Sequence, residues 1–223
     1  MRSIAVLLMA SLPAFAAEPA KFTVNLANVE PPKLLAEELR TTLDEQTVSV
    51  LNADGTTRAQ FWVRKEIPVR ANAEQVKNGL TYREIPEGTF LGVVKFEKPF
   101  VDFRKQELPA GTYSMRLAVQ PDTGDHKDTA PHQDFCLLVP LESEKNLETI
   151  EPKDLVRMSL KVTMSDHPAV LLMFPHFGKD AEAKVVAKPG GVSVLQLRRA
   201  VLANDKPATL GFAFVVDGVS PMR

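Results

Sequence analysis

The densest group of side chains that could do chemistry lies in one polar segment between Gln120 and Phe135. Its aspartates and histidines are Asp122, Asp125, His126, Asp128, His132 and Asp134. Two imidazoles and a carboxylate suit zinc, copper or iron, so His126, His132 and Asp134, with Asp125 as a further candidate, form a candidate metal site. The His-x5-His-x-Asp spacing matches no strict metal motif, and aspartates in turns commonly accept hydrogen bonds from nearby backbone N–H groups. Both interpretations remain open at the level of sequence.

Two further histidines, His167 and His176, flank the apolar segment Ala169–Phe174. A strand of six to eight residues separates its ends by roughly 20–27 Å, so these two side chains are not expected to share one metal ion. Either one is free to approach the polar segment. The alternative is that His167 begins a turn before Pro168 and that His176 lies at the surface.

Four common catalytic or nucleotide-binding motifs are missing from the sequence. It contains no G-x-S-x-G elbow, no H-E-x-x-H, no phosphate-binding G-x-x-x-x-G-K-[ST] and no G-x-G-x-x-G. The only cysteine, Cys136, lies in an apolar run, where a thiol is usually inert. We therefore expect a non-catalytic protein, with enzyme activity left open as the alternative, and the sequence specifies no cofactor.

Aromatic side chains form a second set of candidates, this time for ligand binding. Trp62, the only tryptophan, and two phenylalanines of a linker, Phe100 and Phe103, are able to stack on a ligand such as a sugar ring. The alternative for Trp62 is packing in the core or on a sheet face. For Phe100 and Phe103 it is packing under the edge of a sheet.

The elements that must position these residues are mostly strands. From Thr112 to Val119 apolar and polar residues alternate, which is typical of a half-buried strand, and Phe135–Val139 is apolar throughout, which suits a strand covered on both faces. Asp54-Gly55 and Pro189-Gly190 indicate hairpin turns. Leucine and methionine spacing predicts helices over Pro32–Leu43 and Pro152–Val162.

Together these elements predict an all-β sandwich with one or two short peripheral helices, because regular alternation of strands and helices is missing. Residues 1–17 read as a signal peptide, with Arg2, a short apolar run and an Ala-Phe-Ala cleavage site. Residues 18–223 then form a single domain, which we expect to be periplasmic or secreted. No later apolar run approaches the roughly 20 residues that a membrane-spanning helix needs.

The charge is close to balanced. Loss of Arg2 with the signal peptide changes the formal net charge from −1 to −2. Such a small charge attracts neither nucleic acid nor an anionic membrane surface. One cysteine makes no internal disulfide, so the fold is stabilised by burial alone.

The segment Leu80–Pro140 carries the pattern G-T-Y-x-x-R, Q-P-x-x-G-D-H and A-P-H-x-D-F-x-L-L-x-P, followed by H-P-A-V-L at His167–Leu171. It resembles a family of exported bacterial proteins of planctomycete type and unknown function. The P-x-G-x-Y turn is also similar to that of prealbumin-like and carbohydrate-binding-like β-sandwich modules, in which the glycine makes the turn and the tyrosine enters the core. Both resemblances imply an exported β-sandwich and no particular activity.

Three functions remain in view. The first is a non-catalytic binding module for a small ligand, a glycan or a protein. The second is a metal-binding protein that uses the segment between Gln120 and Phe135. The third is a structural component of an exported assembly.

Overall fold

The structure of the protein, a computed structural model, describes residues 21–121, 130–163, 165–204 and 206–221. The predicted signal peptide, and Asp125 and His126 of the polar segment, lie outside these ranges. Among the described residues no helix is both long enough and apolar enough to span a membrane.

Within the described ranges the chain forms thirteen strands and three α-helices. The strands are β1 (Phe22–Asn28), β2 (Gln46–Asn52), β3 (Thr57–Val63), β4 (Glu66–Val69), β5 (Phe90–Phe96), β6 (Phe100–Val101), β7 (Glu107–Leu108), β8 (Gly111–Val119), β9 (Asp134–Pro140), β10 (Val170–Leu172), β11 (Lys184–Lys188), β12 (Val192–Ala203) and β13 (Lys206–Asp217). The helices are α1 (Glu37–Arg40), α2 (Ala73–Asn78) and α3 (Pro152–Thr163).

Two sheets contain most of the strands. The larger sheet has the antiparallel order β1-β2-β3-β5-β8-β9-β10. In the smaller sheet β12 is the central strand, and β13 pairs antiparallel with one of its edges. The other edge of β12 pairs antiparallel with β11 over its first half and parallel with β4 over its second half. Strands β6 and β7 form a separate small hairpin.

The two sheets pack face to face around one apolar interior. Their inward side chains belong to a single cluster of buried residues, in which Phe61 of the larger sheet stacks on Phe214 of the smaller one with ring centroids 5.6 Å apart. A bridge between Met173 and Phe214 joins the sheets at one edge. The prediction of an all-β sandwich with few helices is confirmed.

The helices differ in part from those predicted. The spacing of leucine and methionine correctly locates α3. The helix predicted over Pro32–Leu43 is reduced to the four residues of α1, whose N-cap residue, Ala36, supplies no side-chain hydrogen bond. Helix α2 was not predicted, although Asn72 and Gln75 form a capping box that is visible in the sequence.

Strand β8 is not half-buried as its alternation predicted. Its residues from Tyr113 to Ala118 are buried on both faces of the sheet. Tyr113, Met115 and Leu117 face the sandwich interior. On the other face, Ser114 and Arg116 are covered by the segment that follows β9.

Candidate functional site

The metal-site residues that the structure describes are His132 and Asp134, at the start of β9. The His132 ring meets the ring of Phe174 edge-on, with centroids 4.4 Å apart. Asp134 Oδ1 lies 3.2 Å from Arg83 Nε in an ion pair. Among the described residues no group of three or more His, Cys, Asp or Glu side chains is placed to hold a metal ion. His126 lies outside the described ranges, so the metal site stays a prediction.

Arg83 and Asp134 interact by charge more than by hydrogen bonding. Oδ1 of Asp134 is buried and accepts no hydrogen bond within the described part of the chain, because the Nε–H of Arg83 is not aimed at it. Burial raises the pKa of Asp134 above its usual value, although Arg83 and His132 act to lower it. Burial also lowers the pKa of His132. A desolvated carboxyl of this kind is a feature of functional sites as well as of structural ion pairs.

The predicted ligand-stacking residues are all buried. Trp62 is 3 % exposed and packs in one cluster with Leu35, Leu39 and Leu43, in and beside α1. Its indole N–H donates to the Val29 carbonyl at 2.9 Å. Phe100 is stacked on Phe96 with ring centroids 4.2 Å apart. The rings of Trp62 and Phe100 are therefore packed inside the protein, and neither is exposed to a ligand in this structure. Phe103 is also buried but borders a cavity.

This apolar cavity, of about 290 Å³, lies between the outer face of β9 and β10 and helix α3. Its floor and walls are mainly Phe103, Phe135, Leu137, Val156, Val170 and Leu172. The side chains of Phe135 and Leu137 reach it because alternate residues of β9 point away from the sandwich interior. Val156 comes from α3 and closes the opposite side.

Polar side chains also line the apolar cavity. Arg104, Gln120, Asp166 and His167 line it, and Arg104 Nη2 lies 3.4 Å from His167 Nδ1. Apolar walls with a few polar groups on one side are the usual construction of a small-ligand site.

The turn that carries Phe103 and Arg104 is held by Asp102. Its Oδ1 accepts from the backbone N–H groups of Arg104 and Gln106, both at 2.9 Å, and its Oδ2 accepts from the N–H of Val170 at 3.4 Å. Asp102 is fully buried, and burial raises its pKa against the effect of these bonds. The carboxylate thus connects the turn to β10, and no sequence pattern had singled it out.

A second concavity, of about 230 Å³, opens at the end of the sandwich interior. We call it the polar cleft after Arg83, Asp134 and His176, although most of its accessible lining is apolar; the other lining residues include Leu80, Tyr82, Pro175, Phe177, Leu210 and Gly211. The Tyr82 hydroxyl donates to the Phe174 carbonyl at 2.8 Å and accepts from the Ala213 N–H at 3.0 Å, which fixes the back wall.

His176 is 9 % exposed and is therefore not the surface residue that the sequence allowed. Its ring lies against glycines: a Cβ on Gly211 would lie 2.6 Å from its Cδ2, and a Cβ on Gly178 2.8 Å from its Cε1. Burial lowers the pKa of His176, and the charges of Arg198, Lys188 and Lys184 lower it further. A glycine inside a strand marks a close approach, so Gly211 was an available signal.

Within Leu80–Pro140, Arg116 and Tyr113 make structural hydrogen bonds. Arg116 donates to both oxygens of Glu144 and to three backbone carbonyls, at Gly88, Asn146 and Glu148. The Tyr113 hydroxyl donates to the Pro109 carbonyl at 2.7 Å. Gly111 is required for space and not for a positive φ, because a Cβ there would lie 2.9 Å from the Tyr113 hydroxyl.

We compared the chain with known proteins. No protein-family model, curated protein or solved structure matches it. The resemblances of Leu80–Pro140 to exported bacterial proteins and to prealbumin-like modules stay predictions, and the function is argued from the site itself.

Proposed function

We propose that the protein is an exported, non-catalytic module that binds a small ligand in the apolar cavity beside α3. The observation that carries this proposal is the cavity itself, which is concave, mostly apolar and lined in part by charged side chains. Export rests on the predicted signal peptide, and we expect a periplasmic or secreted location.

The size and chemistry of the cavity limit the ligand. Its volume of about 290 Å³ is at the small end of the range for ligand pockets, so the part that enters must be compact. Leu137, Val170 and Leu172 are each less than a tenth exposed and form an apolar floor. The buried part of the ligand must therefore be apolar, and any polar group must remain near Arg104, Asp166 and His167.

Fluorescence titration of the chain from Glu18 onward with 1-aminoanthracene, a small apolar probe, tests the proposal. We expect saturable binding at one site. Val156→Phe should weaken it about tenfold or more, because the larger side chain fills the cavity. Val76→Phe is the matched control, since Val76 of α2 is 38 % exposed and Val156 of α3 is 37 % exposed.

Equal binding by both valine variants would place the probe elsewhere and contradict the proposal. The absence of saturable binding in the parent would also contradict it. Thermal unfolding of each variant checks that a loss of binding does not reflect a loss of fold.

A further inference from the structure

We propose that the polar cleft is a second binding site, and that it takes a neutral sugar ring. The proposal does not depend on a ligand in the apolar cavity, which lies on the other face of β9. Asp134 shares its side of β9 with Cys136 and Leu138 of the sandwich interior, whereas Phe135 and Leu137 line the apolar cavity.

The first support is hydrogen-bonding capacity that the described residues leave unused. The Asp134 side chain keeps 16 % of its surface exposed, and its buried Oδ1, which lies beside Arg83, accepts no hydrogen bond in the described part of the chain. His176 lines the same cleft and is 9 % exposed. Because buried polar groups are normally paired, the Asp134 carboxyl is suited to a ligand that brings its own hydrogen-bond donors.

The second support is the combination of group types. A carboxyl accepts hydrogen bonds, a guanidinium donates them, and an imidazole does either, so Asp134, Arg83 and His176 match a ring of hydroxyl groups. A simple anion matches less well, because it would lie beside the desolvated Asp134 carboxyl. A simple cation would meet the guanidinium of Arg83, whose Nε is 3.2 Å from Asp134.

The third support is the exposed ring of Phe177. This side chain is 70 % exposed, the most exposed of the large apolar residues that the structure describes, and it borders the cleft. Contact between this ring and an apolar face of a ligand would remove apolar surface from water, which is favourable. The C–H groups on one face of a sugar ring would cover it while the hydroxyl groups at the ring edge reach Asp134 and His176.

The test is isothermal titration calorimetry of the chain from Glu18 onward with D-glucose, D-galactose, D-mannose and N-acetylglucosamine at millimolar concentrations. We expect at least one of these sugars to bind at a single site. Asp134→Asn and His176→Phe should each weaken binding about tenfold or more, since each removes a polar partner and keeps the shape.

Phe177→Ala provides the variant that is safest for the fold, because the side chain is exposed, and it should weaken sugar binding severalfold. Glu97→Gln, at a surface carboxylate distant in sequence from the cleft residues, should leave affinity unchanged and is the control for charge. Failure of all four sugars to bind, or binding that survives all three cleft variants, would overturn the proposal. Tighter binding of inorganic phosphate than of any sugar would overturn it as well and make the cleft an anion site.

Discussion

The guanidinium of Arg116 and the carboxylate of Glu144 form an ion pair that is almost fully excluded from solvent, with side chains 1 % and 0 % exposed. Nη2 of Arg116 lies 2.6 Å from Oε2, and Nε lies 3.1 Å from both carboxylate oxygens. The Ser114 hydroxyl donates to the same carboxylate at 2.5 Å. This pair fastens the segment after β9 onto the outer face of β8.

Removal of one partner should therefore destabilise the fold strongly. We expect Glu144→Gln to lower the free energy of unfolding by about 3–5 kcal/mol, because a buried guanidinium then lacks its counter-charge. Urea unfolding measures the change. Glu97→Gln breaks the exposed pair with Lys95 and should cost less than about 1 kcal/mol. Similar costs for the two variants would contradict a structural role for the buried pair.

Gly111 and Tyr113 form a second coupled pair. Gly111→Ala should cost roughly 1–3 kcal/mol, because the new Cβ would lie within 3.1 Å of the Tyr113 hydroxyl and Cζ. The cost should be much smaller in a Tyr113→Leu background, which removes the ring. A double-mutant cycle by thermal or urea unfolding measures the coupling. Additive effects of the two substitutions would show that the glycine serves another purpose.

His176 should lower the stability of the fold as pH falls through the histidine range. The folded pKa of His176 lies below the usual 6.5, so the unfolded chain takes up protons first. The contribution of the neutral ring is present above pH 6.5 and is lost as pH drops toward the lower folded pKa. Asp180 opposes this effect, whereas Arg198, Lys188 and Lys184 enlarge it.

Melting temperatures at about pH 7.5 and about pH 5.5 measure this dependence. We expect the decrease between the two to be smaller in His176→Phe than in the parent protein, with His132 accounting for part of the remainder because its pKa is lowered too. Phe177→Ala, which removes no titrating group from the same segment, is the control. An identical decrease in parent and His176→Phe would contradict the prediction.

The predicted metal site of His126, His132 and Asp134 has its own test. The Arg83 cation lies beside Asp134, so we expect this carboxylate to contribute little to metal binding and Asp134→Asn to leave metal content unchanged. Elemental mass spectrometry on untagged parent, Asp134→Asn and His132→Ala proteins measures it. Near-stoichiometric zinc in the parent that is lost in Asp134→Asn would show that the carboxylate is a ligand.

Much of the secondary structure could be predicted from the local pattern of apolar and polar residues. Alternation located β8, an apolar run located β9, and the spacing of leucine and methionine located α3, because each depends on neighbours within a few residues. The burial of Arg116 could not be predicted from the sequence. Its charge is tolerated inside only because Glu144, 28 residues away, neutralises it, and periodicity does not report such a partner.

The residues of the two candidate sites could be predicted from the sequence only in part. Asp134 was singled out by the sequence as a potential metal ligand, and its contact with Arg83 became visible only in the structure. The apolar cavity combines Phe103, Phe135, Val156 and Val170, which share no local period. The aromatic candidates Trp62 and Phe100 are buried because neighbouring elements cover them, which residue type does not reveal.

By itself the sequence determined the all-β character of this chain, through period-two alternation and turn residues. It also carries the features from which export is predicted. Only the tertiary structure decided which polar residues are covered and which meet: it placed His176 against Gly211 and brought Asp134 to Arg83. The physical reason is that strand formation depends on local spacing, whereas desolvation and site geometry depend on residues brought together from distant parts of the chain.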